Sequence, residues 1–77
     1  MNQITVYTSN HCRYCVMLKN FLSDQNISYQ EVNVITNPAI MQQLVEKTGQ
    51  LGVPQTEVNG QWVVGYDPNS IMSALRK

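Results

Sequence analysis

Apolar positions along this chain switch between the two-residue period of strands and the 3.6-residue period of helices. Ile4 to Tyr7 reads as a short buried strand with Ile4 and Val6 on one face, followed by a polar loop from Thr8 to His11. Cys15, Leu18 and Leu22 then recur at helical spacing, supported by Phe21, which predicts a helix over about Arg13 to Asp24 ended by Gln25-Asn26. Within Ile27 to Val34, the alternation of Val32 and Val34 marks a half-buried strand. A helix of about three turns between two strands makes a right-handed crossover, so these strands are expected to be parallel.

Asn37-Pro38 opens a second helix, with an N-cap side chain and proline at the first helical position. Ile40, Met41, Leu44, Val45 and Thr48 form its stripe, and Gly49 stops it. After a loop over Gln50 to Val53 and then Pro54, two strands, Gln55 to Val58 and Gln61 to Val64, flank Asn59-Gly60, a strong hairpin signal. Asp67-Pro68 repeats the N-cap and proline start, and Ile71, Met72 and Leu75 give the last helix its stripe. Arg76 and Lys77 suit the negative end of that helix dipole. The predicted order is β-α-β-α-β-β-α: an α/β fold with a parallel pair, a hairpin and helices on both faces.

At 77 residues the chain is expected to form a single domain, 1–77, whose core only just stabilises it. Five basic and five acidic side chains are scattered and cancel. With no basic stripe along any helix, nucleic acid is excluded as the main partner. The opening Met-Asn-Gln-Ile-Thr-Val-Tyr lacks the charged and apolar regions of a signal peptide, and no segment is long enough to span a bilayer. A cytoplasmic protein with no membrane partner is the expectation.

The two cysteines, Cys12 and Cys15, are the only ones in the chain and stand one helical turn apart. As a staple they would close a ring worth only about 2 kcal/mol, against about 3 for a 15-residue loop, and a persistent structural disulfide is out of place in a reducing cytosol. A pair at the junction of strand and helix instead suits thiol–disulfide exchange, which needs an accessible thiolate and a second thiol to resolve the mixed disulfide. At the helix N-terminus, unsatisfied N–H groups and the dipole stabilise an anion by up to about 2 kcal/mol. That brings an ordinary cysteine from 8.5 to about 7. Cys12 is thus the expected nucleophile and Cys15, on the apolar side of the helix, the resolving thiol.

Arg13 and Lys19 are candidates for tuning the thiolate, with a solvated helix residue as the plainer reading of Lys19. Tyr14 either flanks an incoming thiol or is an exposed aromatic, and His11 is read first as an ordinary loop histidine. Two cysteines and His11 fall short of the four ligands of a zinc or iron–sulfur site, so no metal site is expected within one chain. A cluster shared between two subunits, in a non-catalytic adaptor, stays open. Haem attachment needs a histidine after the pair, not before it.

Taken together, Val6-Tyr7-Thr8 leading into Cys12-Arg13-Tyr14-Cys15, Lys19, Thr48-Gly49-Gln50, Val53-Pro54-Gln55 and Gly65-Tyr66-Asp67 resemble a glutaredoxin. The resemblance implies the thioredoxin fold, a four-stranded mixed sheet with helices on both faces, in a monomer. It implies a cis proline at Pro54 facing the cysteines and no tightly bound cofactor. Glutathione would be the electron-donating cosubstrate, and disulfide-containing or glutathionylated proteins the partners. Glutathione would pair in strand fashion with Val53 and place its γ-glutamyl carboxylate at the backbone N–H groups of Tyr66 and Asp67 after Gly65. Gln50 and Tyr14 would supply further contacts.

Three positions depart from the usual family pattern: Arg13 replaces proline, Ser9 replaces a lysine, and Val64-Gly65 replaces Gly-Gly. Gly65-Tyr66-Asp67-Pro68 is similar to the Gly-aromatic-x-Pro segment of short relatives. Those are reduced by thioredoxin reductase and serve ribonucleotide reductase, which makes these two proteins the alternative partners.

Overall fold

A computed structural model describes residues 3–50 and 52–76. Leu51 of the predicted loop and Lys77 of the basic terminal pair lie outside the described residues. The elements are β1 (Ile4–Thr8), α1 (Arg13–Asp24), β2 (Gln30–Asn33), α2 (Pro38–Thr48), β3 (Gln55–Val58), β4 (Gln61–Val64) and α3 (Pro68–Leu75). They follow the order expected from the sequence. The strands form one mixed sheet in the order β2-β1-β3-β4. β1 pairs parallel with β2 and antiparallel with β3, and β3 and β4 form the hairpin.

The sheet's two faces follow from strand alternation. Ile4 and Val6 of β1, Val58 of β3 and Val63 of β4 meet Leu18 and Leu22 of α1 and Ile71 and Ala74 of α3 in one buried cluster. Phe21, Ile27, Tyr29 and Leu75 pack around it. On the opposite face Tyr7 stacks on Trp62 with ring centroids 5.5 Å apart. There α2 contributes Ile40, Gln43, Leu44 and Lys47 to a cleft of about 190 Å³ shared with Tyr7, Glu57 and Trp62. Burial, reinforced by the charge of Glu57, pushes the Tyr7 hydroxyl above its ordinary pKa of 10.0.

The local signals act largely as their chemistry requires. Asn59 and Gly60 both take positive φ, 51° and 89°, the pairing that a two-residue turn needs to match the twist of its strands. Gly49 ends α2 at φ 72°, its N–H donating to the Val45 carbonyl. At the start of α3, Asp67 caps with both oxygens: Oδ1 accepts from the Ser70 N–H and Oδ2 from its hydroxyl.

Three expectations need correction. The strand read over Ile27 to Val34 pairs only over Gln30–Asn33, because the Ile27 N–H is engaged by the Leu22 carbonyl of α1. Thr8 belongs to β1, not to the loop. It pairs with Asn33 and is 1% exposed, because its hydroxyl finds a carboxylate and so carries no burial penalty. Asn37 does stand at the N-cap of α2, but its side chain makes no capping bond. Its amide donates instead to the Asn33 carbonyl and the Thr36 hydroxyl, which ties the helix entry back to the end of β2.

Leu22 is fully buried in the cluster between α1 and the sheet. Leu22→Ala is expected to cost about 3 kcal/mol, from lost apolar transfer and the cavity left behind. Urea denaturation should show that loss as a lower midpoint with an unchanged slope.

Candidate active site

The site lies where β1, in the middle of the sheet, delivers the chain to α1. His11, at φ 57°, turns the backbone through the left-handed region immediately before the helix. Cys12 then occupies the N-cap in extended conformation (φ −107°, ψ 106°), and its Sγ accepts a hydrogen bond from the Cys15 N–H at 3.1 Å. A helix start leaves several N–H groups without intrahelical partners. Here a sulfur takes the place usually filled by a serine or aspartate oxygen. Cys12 and Cys15 form a disulfide with their Cα atoms 5.2 Å apart. Cys15 is 2% exposed, whereas Cys12 is half-buried, so an incoming group reaches the first sulfur and not the second.

Facing the pair is the segment before β3. The Val53–Pro54 peptide bond is cis, and the Val53 carbonyl oxygen lies 3.9 Å from Cys12 Sγ. The Pro54 carbonyl is engaged by the Gly65 N–H at 2.8 Å, which ties this segment to the end of the hairpin. Gln55 braces it from beneath. This fully buried amide donates to the Gln50 and Gly52 carbonyls, each at 2.9 Å, and its oxygen accepts from the Thr48 hydroxyl at 2.8 Å. Gln55 thus satisfies its own buried polar atoms while joining the end of α2 to the loop.

The predicted residues converge unevenly. Tyr14 and Tyr66 meet, their rings stacked with centroids 6.3 Å apart, so the start of α1 touches the segment before α3. Gly65 supplies the positive φ of 84° that this turn requires. Asp67 is fully occupied as the α3 cap. Gln50 is exposed and enters the loop through its backbone carbonyl. Arg13 is exposed at the first position of α1, immediately after Cys12.

Lys19 pairs with Glu31 of β2 at 2.9 Å, and the same carboxylate oxygen accepts from the Thr8 hydroxyl at 2.9 Å. The hydrogen bond from Lys19 holds Glu31 below its ordinary pKa of 4.5 against a slight desolvation, and the bond from Thr8 adds to it. Thr8, Glu31, Thr48 and Gln55 were not among the sequence candidates. A buried glutamine on an otherwise alternating strand is a signal only once its partners are known. Among the described residues, no group of three or more His, Cys, Asp or Glu side chains is placed to hold a metal ion.

The glutaredoxin family pattern matches residues 4–63. The chain belongs to the glutaredoxin family. Glutaredoxin 3 of Escherichia coli (strain K12) is 31% identical over 67 residues, covering 87% of this chain and 81% of the relative. The glutaredoxin-like protein NrdH of Lactococcus lactis is 35% identical over 43 residues, covering 56% of this chain and 60% of that protein. The crystal structure of the thioredoxin-like protein BC3987 superposes with a TM-score of 0.85 at 29% identity, covering 94% of this chain and 99% of that one. This glutaredoxin-like chain is therefore a thiol–disulfide oxidoreductase of thioredoxin fold, with Cys12 and Cys15 as its Cys-x-x-Cys pair. No helix among the described residues is long and apolar enough to cross a membrane.

The Glu31 carboxyl gives a signed pH prediction. A carboxyl lowered in the folded state adds stability that is present above its unfolded pKa and lost as pH falls through its folded pKa. Glu31→Gln should therefore melt slightly lower than the parent at neutral pH, by less than about 1 kcal/mol for so exposed a pair. The difference should close as pH falls through and below the ordinary glutamate range, as melting curves across pH would show.

Proposed function

We propose that this protein takes electrons from reduced glutathione and uses them to reduce protein disulfides and mixed disulfides with glutathione. The observation that carries the reading is the position of Val53 against Cys12. An extended thiol peptide laid along the segment before β3 brings its cysteine to Cys12 while pairing with backbone, as an added strand does. Among the described residues nothing pairs with the Val53 N–H. The γ-glutamyl carboxylate of such a peptide would lie near the N-terminus of α3, where the Tyr66 and Asp67 N–H groups and the helix dipole favour an anion. Tyr14 and Tyr66 would form one wall of the groove.

In this mechanism the Cys12 thiolate, held by the Cys15 N–H, attacks the substrate disulfide and displaces one thiolate. Either glutathione or the Cys15 thiolate then attacks the mixed disulfide. In the second case the S–S bond to the substrate breaks, the Cys12–Cys15 bond forms, and the substrate leaves as a thiol. The burial of Cys15 suits it to attack within the complex and not on incoming molecules. A reducing cytoplasm is the compartment in which such a dithiol cycles.

A second reading has its own support. Arg13, Ser9 and Val64 depart from the residues usual around a glutathione site, and the L. lactis NrdH likeness is the higher in identity over a shorter span. In that reading a flavoprotein of the thioredoxin reductase type reduces the pair, and ribonucleotide reductase consumes the electrons.

Coupled turnover with each reductant separates the two. Cys12→Ser should abolish turnover in either system. Cys15→Ser should keep activity on glutathione mixed disulfides in the glutathione system and lose it on intramolecular protein disulfides. A parent protein reduced by thioredoxin reductase and not by glutathione overturns the first reading and supports the second.

A further inference from the structure

Ten charged side chains are spread over the chain, yet among the described residues one salt bridge is present, and its lysine lies on the helix that carries Cys15. Lys19 is four residues beyond Cys15 on α1, the spacing that sets two side chains one above the other on a helix face. Helical side chains also lean toward the helix N-terminus, which here is the direction of the cysteines. The Lys19 ammonium is held at 2.9 Å by Glu31.

Glu31 is not there by chance of the surface. It is opposite Val6 in the parallel register, so its side chain emerges on the α1 face of the sheet. There the hydroxyl of Thr8, 1% exposed, donates to the same carboxylate oxygen that Lys19 uses. Thr8 is the last residue of the strand that leads to Cys12. With side-chain exposures of 29% and 40%, the ion pair adds little to stability. Its electrostatic reach is another matter, because the sulfur of Cys15 is buried and a field there is less screened than in water.

We propose that Glu31, fixed by Thr8, is a positioning residue that neutralises Lys19 beside Cys15 and thereby holds down the tendency of the Cys12–Cys15 disulfide to be reduced. Reduction breaks the Cys12–Cys15 bond, takes two electrons from a donor dithiol that closes to its own disulfide, and leaves two protein thiols whose protons come from the donor through solvent. A nearby cation stabilises the ionised reduced pair and makes the disulfide the stronger oxidant. A carboxylate on that cation cancels the effect. The inference rests on Cys12 and Cys15 being the exchanging pair and is independent of which reductant supplies them.

The test equilibrates the full chain with reduced and oxidised dithiothreitol, an uncharged dithiol couple, and reads the reduced fraction by thiol alkylation. Glu31→Gln is expected to move the equilibrium toward the reduced protein about threefold, which is about 14 mV at 29.6 mV per tenfold. Lys19→Met should move it the opposite way, and the double variant should return close to the parent. Thr8→Val should shift it in the direction of Glu31→Gln, by less. At 1 M salt, where the screening length is about 3 Å, the single-variant shifts should shrink.

An unchanged equilibrium in Glu31→Gln with a lowered melting temperature would mark a structural pair only and overturn the proposal. So would a Lys19→Met shift of the same sign as Glu31→Gln. Should Glu31→Gln fail to fold, Thr8→Val decides: it frees Glu31 while leaving Lys19 in place, and no shift toward the reduced protein would overturn the proposal. A parent that does not equilibrate with dithiothreitol at all would refute the exchanging pair itself, an outcome distinct from either.

Discussion

The hydrogen bond from the Cys15 N–H to Cys12 Sγ is the constraint on which the site depends. It makes the Cys12 sulfur a helix cap as well as a member of the disulfide pair. The first turn of α1 needs an acceptor, and a negatively charged acceptor is the better one at that end of the dipole. Folding the helix therefore favours the thiolate in the reduced protein, and no further cationic residue is required for the basic effect. That arrangement holds only if the helix start is fixed in space. β1, hydrogen-bonded on both sides within the sheet, fixes the entry, and Leu18 and Leu22 anchor the body of α1.

The opposing wall is built by a different kind of interaction. Gln55 uses its whole amide to join the end of α2 to the segment carrying Val53, and the Gly65 N–H holds the Pro54 carbonyl. The stacking of Tyr14 on Tyr66 closes one end. The result is the Cys12 sulfur, at a helix start, facing a braced backbone edge. Loops positioned by a rigid scaffold commonly carry function in this way.

What was legible in the sequence follows from the range of the forces involved. Proline and asparagine starts, the Asn59-Gly60 turn and the apolar stripes are local, and they place every element within a residue or so except β2, whose expected start at Ile27 precedes the paired strand. Cys12 and Cys15 were legible because two cysteines one turn apart at a helix start permit few chemistries. Thr8 was misplaced because its burial depends on Glu31, 23 residues away. Asn37 stands at the N-cap as its position suggests, but its side chain makes no capping bond because Asn33 and Thr36 engage it. Lys19 was seen as a charge near the pair, but its partner on β2 is visible only in the folded register. Gln55 looked like an ordinary strand residue, and its role appears once α2 and the loop meet around it.

The measurement that bears most directly on the central claim is the titration of the reduced pair, followed by thiolate absorbance or by alkylation rate against pH. If the N-cap position and the Cys15 N–H stabilise the Cys12 thiolate, the more reactive thiol titrates well below the 8.5 of a free cysteine. It should also be the thiol alkylated first, identified as Cys12 by peptide mapping. A first thiol that titrates at or above 8.5, or alkylation that falls first on Cys15, would contradict the account.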